Sequence, residues 1–351
     1  MENIKSGVLE IMDSKAYLRD PFNNFEIFPD DVEVPHHFIK EFKIREGCFL
    51  VVELADGFLK NILAINNLPP DQYKFTKQHK ELTPINPLEQ LMIGQSRNDT
   101  TGRLIDRLIP IAKGQRGLII SPAKAGKTSL IKHIAKSVST NYPDIKLATL
   151  LVDERPEEIT DFKRALPKAM VFHSSADMSP ESHMRIARMT INMASRMLEA
   201  GEDVFILIDS LTRLARASNK ESKSSRTMSG GLGIKAMEIP RQLFGRAKNV
   251  EDGGSLTILA SILVETGSRM DEMIFQEFKG TGNWDLRLSR ELAERRIFPA
   301  IDISQSSTRK EHLIFSERML EKSNDLRRKV VELQPPEALL AAINYLNGSN
   351  K

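Results

Sequence analysis

The chain has 351 residues, 40% of them hydrophobic and 28% charged, with 50 Lys and Arg against 47 Asp and Glu. These are ordinary values for a soluble folded protein with room for two domains, and a net charge of +3 argues neither for nor against a polyanionic partner. The single cysteine, Cys48, excludes an internal disulfide and suits a reducing cytosol. The opening MENIKSGVLEIM carries no basic-then-apolar leader, and no apolar run nears the roughly 18 residues that span a bilayer. The seven histidines lack zinc-type spacing; His36 and His37 are adjacent and would point apart. The expectation is a cytoplasmic protein with no membrane partner.

Residues 1–75 alternate short apolar runs (GVLEIM, AYLRD, FEIFPDD, CFLVVEL, FLKNILAI) with Gly, Asp, Asn and Pro turn signals, which predicts a small all-β barrel. Residues 76–105, with Pro84 and Pro87, read as a linker. From 106 to 351 the pattern changes. GLIISP, KLATLLVDE, DVFILIDS and SLTILASIL are continuous apolar runs of the kind found in strands covered on both faces. Between them, TSLIKHIAKSV repeats Leu130, Ile131, Ile134, Ala135 and Val138 with helical period. Strands alternating with helices predict an α/β fold with a mostly parallel sheet.

The stretch SPAKAGKT at 121–128 approaches the phosphate-cradling pattern G-x-x-x-x-G-K-[ST], with Ser121 in place of the first glycine. Gly126, Lys127 and Thr128 supply the essential end: backbone amides at a helix N-terminus, a lysine for the β- and γ-phosphates, and a hydroxyl for Mg²⁺. Ser121 is small enough for the turn. Two strand ends add carboxylates. VFILIDS ends in Asp209, placed to hold Mg²⁺, and KLATLLVDERPEE ends in Asp153 and Glu154 before Arg155. Pro156 suits a first helical turn, and Glu157 and Glu158 suit its dipole, so those two need no catalytic explanation. Glu154, at the carboxyl end of its strand, either accepts a proton from the attacking water or merely charges the following helix. Together the elements predict a nucleoside triphosphate-hydrolysing enzyme that uses Mg²⁺.

The runs GQRGLIISPAKAGKT, LLVDERPEEITDFKR, ILIDSLTRLARA, FGRAKNVEDGGSLTILA, EFKGTGN and ERRIFPAIDISQSSTRKE resemble one family, the bacterial transcription termination factor Rho. The resemblance runs from about residue 6 to 345. It implies a RecA-like P-loop NTPase core behind an OB/cold-shock-like barrel, a homohexameric ring, and an RNA-dependent ATPase and helicase. Such an enzyme moves 5′ to 3′ on the nascent single-stranded transcript and releases it from RNA polymerase.

The resemblance also assigns roles. Lys127 and Thr128 match the phosphate and Mg²⁺ ligands, Lys124, Ala125, Gly126 and Ser129 belong to the same nucleotide loop, and Gly114, Gln115, Arg116 and Gly117 match the turn and strand leading into it. Glu154 matches the catalytic glutamate, Arg155 its neighbour, Asp209 the Mg²⁺-holding aspartate, and Phe298 the ring on adenine. Arg309 and Arg296 match arginines sent into a neighbouring subunit's site, and Arg213 one that links sites or senses the γ-phosphate. On composition alone, 218–233 is a solvated surface loop; in the resemblance it is a pore loop, with Arg226, Gly230 and Gly231 facing RNA and Arg269 on a second loop. EFKGTGN, with Lys279, is expected near a subunit interface. In the barrel, Tyr17, Arg19 and Phe58 match RNA-facing positions, with Asp31 and Asp56 as base acceptors. Lys15 replaces an expected aromatic, and the chain starts almost at the barrel, without the helical subdomain that often precedes it. The rival readings are a rotary or secretion-type ATPase and a non-enzymatic RNA-binding protein.

Overall fold

The computed structural model describes residues 3–222, 229–233 and 235–348. Strands β1 (Asn3–Met12), β2 (Lys15–Arg19), β3 (Phe49–Ala55) and β4 (Phe58–Ile65) form a small antiparallel sheet in the order β2-β1-β3-β4. Alternation decides its faces: Leu18, Leu50, Val52 and Leu54 turn inward onto Leu9, Cys48 and Tyr73. Its hairpins close on left-handed residues, Asp13 in one and Asp56–Gly57 in the other.

The expected linker is folded onto its neighbours. Two short strands, β5 (Pro84–Ile85) and β6 (Gln90–Leu91), are followed by a helix at Thr100–Leu108, capped by the Asp99 carboxylate on the Gly102 amide. That helix crosses the boundary expected at 106. Its Leu104, Ile105 and Leu108 enter one of the two cores of the large domain.

After β7 (Ile111–Ala112), the large sheet contains β8 (Arg116–Ser121), β9 (Lys146–Glu154), β10 (Met170–Ser175), β11 (Asp203–Asp209), β12 (Lys248–Val250), β13 (Ser255–Leu263), β14 (Trp284–Leu288) and β15 (Ile301–Thr308). The order β10-β9-β11-β13-β8-β14-β15 is parallel except for β15, and β12 branches off the interior strand β13 and pairs in turn with β5, both antiparallel. Helices cover both faces, creating two apolar cores. The carboxyl ends of β8, β9 and β11 meet at one rim, the position where open α/β sheets bind ligands.

The small domain is bolted to the large one. Val8 and Phe25 join the large domain's core, and Phe25 stacks on Phe172 with centroids 4.6 Å apart. Arg185, on the helix Pro180–Glu199, donates to Glu10 at 2.6 and 2.7 Å, and Arg45 donates to Glu199 at 3.0 Å. Among the described residues, no helix is long and apolar enough to cross a membrane.

Candidate nucleotide site and nucleic-acid interface

β8 ends at Ser121, whose Oγ donates to the Pro122 carbonyl at 2.8 Å. The left-handed positions of the loop are Lys124 and Gly126, so the first motif position places no demand for glycine. Gly126 begins the helix Lys127–Asn141 at φ 90, and a Cβ there would come within 3.5 Å of the Phe298 ring. The free amides of that helix start open onto the same rim as the carboxylates.

Glu154 and Asp209 end adjacent parallel strands, which sets them side by side. The Lys127 ammonium is paired with Asp209 and lies 3.8 Å from Glu154, while the Arg213 guanidinium reaches Glu154 at 3.0 Å and the Asp153 carbonyl. Ser261, on β13, donates to Asp209 at 2.8 Å. Glu154 is 2% exposed, and burial, reinforced by the charge of Asp209, pushes its carboxyl up to about 7 against the pull of Arg213 and Lys127. A group titrating there is suited to take a proton from water at neutral pH.

The residues fit a magnesium triphosphate. Glu154 Oε2 and Asp209 Oδ2 are buried without a hydrogen-bond partner, an arrangement that awaits a cation or ordered water. Thr128, in the first turn of the helix, is partly exposed beside them. No cluster of three or more His, Cys, Asp or Glu able to hold a metal occurs among the described residues. Next to the loop lies a cavity of about 570 Å³ lined by Thr101, Ala125, Gly126, Ser129 and Phe298. Phe298 is 50% exposed into this region, as a ring awaiting a flat partner would be. Arg155 and Lys124 are exposed, next in the chain to Glu154 and Ala125.

Other expected residues fall elsewhere. Gly114, Gln115, Arg116 and Gly117 lie at the amino end of β8, a six-residue strand, hence about 17 Å from the phosphate loop of the same chain. Their local roles are packing roles: a Cβ on Gly114 would meet the Asn249 amide at 2.3 Å, and one on Gly117 would meet Leu259 and Trp284 at 2.5 and 2.6 Å. The Gln115 carboxamide accepts from the Ala112 amide at 2.9 Å. These four residues do not line the chain's own pocket.

Arg309 stands at that same remote end, following β15, which pairs Thr308 with Trp284. Burial, with the Arg309 charge beside it, holds Arg116 below the usual arginine range. A Cβ on Gly280, in the EFKGTGN turn, would lie 3.8 Å from the Arg309 guanidinium. Arg309 is exposed, and among the described residues its side chain makes no ion pair. Arg296 is exposed too but sits at the other end, on the β14–β15 connection two residues before Phe298. The two arginines expected to serve a neighbour thus occupy opposite ends of the sheet, and only Arg309 is remote from the chain's own Lys127.

Arg226 lies outside the described residues. Gly230 and Gly231 are left-handed at φ 76, and a Cβ on Gly230 would approach the Arg269 carbonyl at 3.1 Å, so the two expected pore segments meet. Arg269 is exposed in the first turn of the helix Arg269–Phe278. Arg216 was not foreseen. It shares the helix Leu211–Glu221 with Arg213 and bonds Asp271 at 2.8 Å, joining the carboxylate rim to the start of the Arg269 helix. Its spacing of three from Arg213 was the available signal.

In the small domain, Phe58 is 78% exposed on β4, at the opposite sheet edge from Tyr17 on β2. Arg19 requires a correction: it is 2% exposed, donates to Glu10 at 2.7 Å and pairs with Asp31, leaving no free cation for phosphate. It lies 4.9 Å from the Tyr17 ring, supporting that ring from within. Asp31 is likewise engaged, accepting also from the Phe28 amide at 2.7 Å, whereas Asp56 is exposed in its hairpin.

Residues 102–308 match the ATP synthase alpha/beta family, nucleotide-binding domain. A type III secretion system ATPase from pathogenic bacteria superposes with a TM-score of 0.63 at 26% identity, over 74% of this chain and 73% of that one. An ATP synthase subunit from Nanoarcheaum equitans superposes at 0.60 and 19% identity, over 71% and 62%, and shows the fold alone. These matches establish a RecA-like ATPase core. Sequence similarity is more specific. Transcription termination factor Rho of Akkermansia muciniphila is 45% identical over 338 residues, 94% of this chain and 71% of that protein. Rho of Aquifex aeolicus is 43% identical, over 95% and 79%, and Rho of Pseudomonas aeruginosa 43% identical, over 97% and 83%. With a RecA-like rim behind an amino-terminal β domain, and this identity along almost its whole length, the chain belongs to the transcription termination factor Rho family.

Proposed function

We propose that the chain is the subunit of a cytoplasmic homohexamer that hydrolyses ATP when RNA is bound, moves 5′ to 3′ along the nascent transcript, and releases it from RNA polymerase. The observation that carries the reading is the division of one pocket between the two ends of a sheet. Lys127, Glu154, Asp209 and Arg213 gather at the carboxyl end, while Arg309, which makes no ion pair among the described residues, lies exposed at the amino end with the Asp285 carboxyl within reach of its charge. A ring that sets the amino end of one subunit against the carboxyl end of the next completes the pocket.

In that pocket, Lys127 and the helix amides bind the β- and γ-phosphates, and Phe298 covers adenine. Thr128 and Asp209 would hold Mg²⁺, which would supply charge neutralisation at the phosphate oxygens. Glu154 orients water and takes its proton, and Arg213 holds that carboxylate in place. Arg309 of a neighbour meets the charge that accumulates on the transferring phosphoryl group. Arg269, Gly230 and Gly231, with Arg226, track the RNA backbone, and the Arg213–Arg216–Asp271 connection relates that contact to the rim. Tyr17 and Phe58 stack bases at the entrance.

The test is ATPase rate with poly(C), poly(U) and no polymer, together with particle mass. A sixfold mass and strong stimulation by poly(C) are expected. A secretion-type or rotary ATPase would show no polymer dependence, and equal rates with and without RNA would reject the reading.

A further inference from the structure

A second cavity, of about 540 Å³, lies between the segment 92–97, the helix Thr100–Leu108, and the carboxyl-terminal helices Glu317–Val330 and Pro335–Leu346. It shares no lining residue with the cavity beside Phe298. Its size is that of a site for a small organic ligand.

Its lining is strongly cationic. Arg97, Arg103, Arg107 and Lys322 all face it. Arg103 is committed to the Arg97 and Leu346 carbonyls and to Asn347, but the side chains of Arg97, Arg107 and Lys322 make no ion pair or hydrogen bond among the described residues. The one carboxylate in the wall, Asp106, accepts from the Ile93 and Gly94 amides at 2.7 and 2.8 Å and feels the charge of Arg107, so it offsets one of the four cations and leaves the groove net positive. Burial pushes Asp106 up to about 6 against the pull of the two amides and of Arg107, so near neutral pH it carries most of one negative charge against the four cations of the wall.

An independent observation marks the floor. Ser323 is 3% exposed, and its Oγ is buried with no hydrogen-bond partner. A serine in a helix normally returns its hydroxyl to the preceding turn, so an orphaned one beside three unpaired cations is a donor kept for something else. Leu326 and Tyr345 complete the wall with apolar and aromatic surface. Three cations, a buried hydroxyl and a ring are what a phosphate attached to a flat heterocycle requires.

We propose that this groove is a second, non-hydrolytic site for a nucleoside phosphate. The Thr100 helix start connects it to the chemistry: Arg97 lines this groove, and Asn98 to Thr101 line the cavity beside Phe298. An occupant held by Arg97 adjusts the wall of the hydrolytic pocket and so tunes its affinity.

The test uses the full chain and ADP as probe, by isothermal titration. The wild type is expected to take two ADP per chain, and Lys127→Ala, with its phosphate loop disabled, is expected to retain the weaker one. In that background Arg97→Glu with Lys322→Glu should abolish the remaining binding. Ser323→Ala should weaken it about threefold to tenfold, with no loss of thermal stability because the hydroxyl has no partner to lose. Competition by inorganic phosphate alone at equal concentration would show that the ring is not recognised, overturning the nucleoside assignment. A stoichiometry of one in the wild type, or undiminished binding in the folded Ser323→Ala variant, overturns the site.

Discussion

Arg309 and Lys127 stand at opposite ends of one sheet, separated by at least the length of β8, about 17 Å. An arginine side chain cannot bridge that gap within a chain. Arg309→Ala is therefore expected to lower RNA-stimulated kcat on the order of 10³-fold or more while leaving ATP affinity within a few-fold, measured by steady-state kinetics and nucleotide titration. Arg309→Lys should not restore the rate, because a planar, forked cation is being replaced by a point charge.

Glu154 gives a signed pH prediction. Its folded value of about 7 lies above its ordinary 4.5, so the folded chain binds this proton more tightly than the unfolded chain. Its contribution to stability is present below pH 4.5 and is lost as pH rises through about 7. Glu154→Gln, of the same shape but uncharged, should then be more stable than the wild type at pH 8 by about 1–3 kcal/mol, and equal to it near pH 5. The same variant should have almost no ATPase activity, and the wild-type single-turnover rate should climb with pH to a plateau above about 7. Thermal melts at the two pH values and a pH–rate profile check both halves.

Arg19 and Phe58 separate structure from recognition. Burial alone would push the Glu10 carboxyl up, but hydrogen bonds from Arg185 and Arg19 outweigh it and hold Glu10 below its usual range. Arg19→Ala leaves that buried carboxylate with one partner and should destabilise the small domain by about 2–4 kcal/mol. Phe58→Ala removes an exposed ring and should leave the melting temperature unchanged while weakening binding to an oligo(C) strand by about 1–3 kcal/mol. Denaturant melts and fluorescence anisotropy distinguish the two.

Gly117→Ala tests the reassignment of the strand start. Its Cβ would overlap Leu259 and Trp284 in the core, so a loss of about 1–3 kcal/mol is expected, seen as a lower melting temperature. Nucleotide affinity of the folded fraction should be unchanged, because Gly117 lies at the end of β8 away from the chain's own phosphate loop.

The alternation of apolar runs and helical periods was enough to locate the large sheet, because strands buried on both faces leave continuous runs such as VFILIDS. The convergence of Glu154 and Asp209 was legible for the same reason, since each ends such a run and parallel strands bring their carboxyl ends together, while Lys127 was legible from the SPAKAGKT motif. The fate of Arg19 was not legible. Its partner Glu10 is nine residues away, across a hairpin, and whether a strand arginine points outward or pairs inward depends on that register. Arg309 posed the converse problem, since the antiparallel β15 returns the chain to the far end of the sheet. The residues 76–105 looked like a tether because their strands are two residues long, too short to leave a pattern, although they pair and pack.

The central claim is that each pocket is completed by the subunit next door, and subunit mixing measures it directly. Arg309→Ala and Lys127→Ala chains, each inactive alone, are combined, allowed to exchange, and assayed for poly(C)-stimulated ATPase. Interfaces that join an intact Lys127 to an intact Arg309 should recover a substantial fraction of wild-type activity. No recovery in rings shown by mass to be mixed, or full activity of Arg309→Ala alone, would contradict the account.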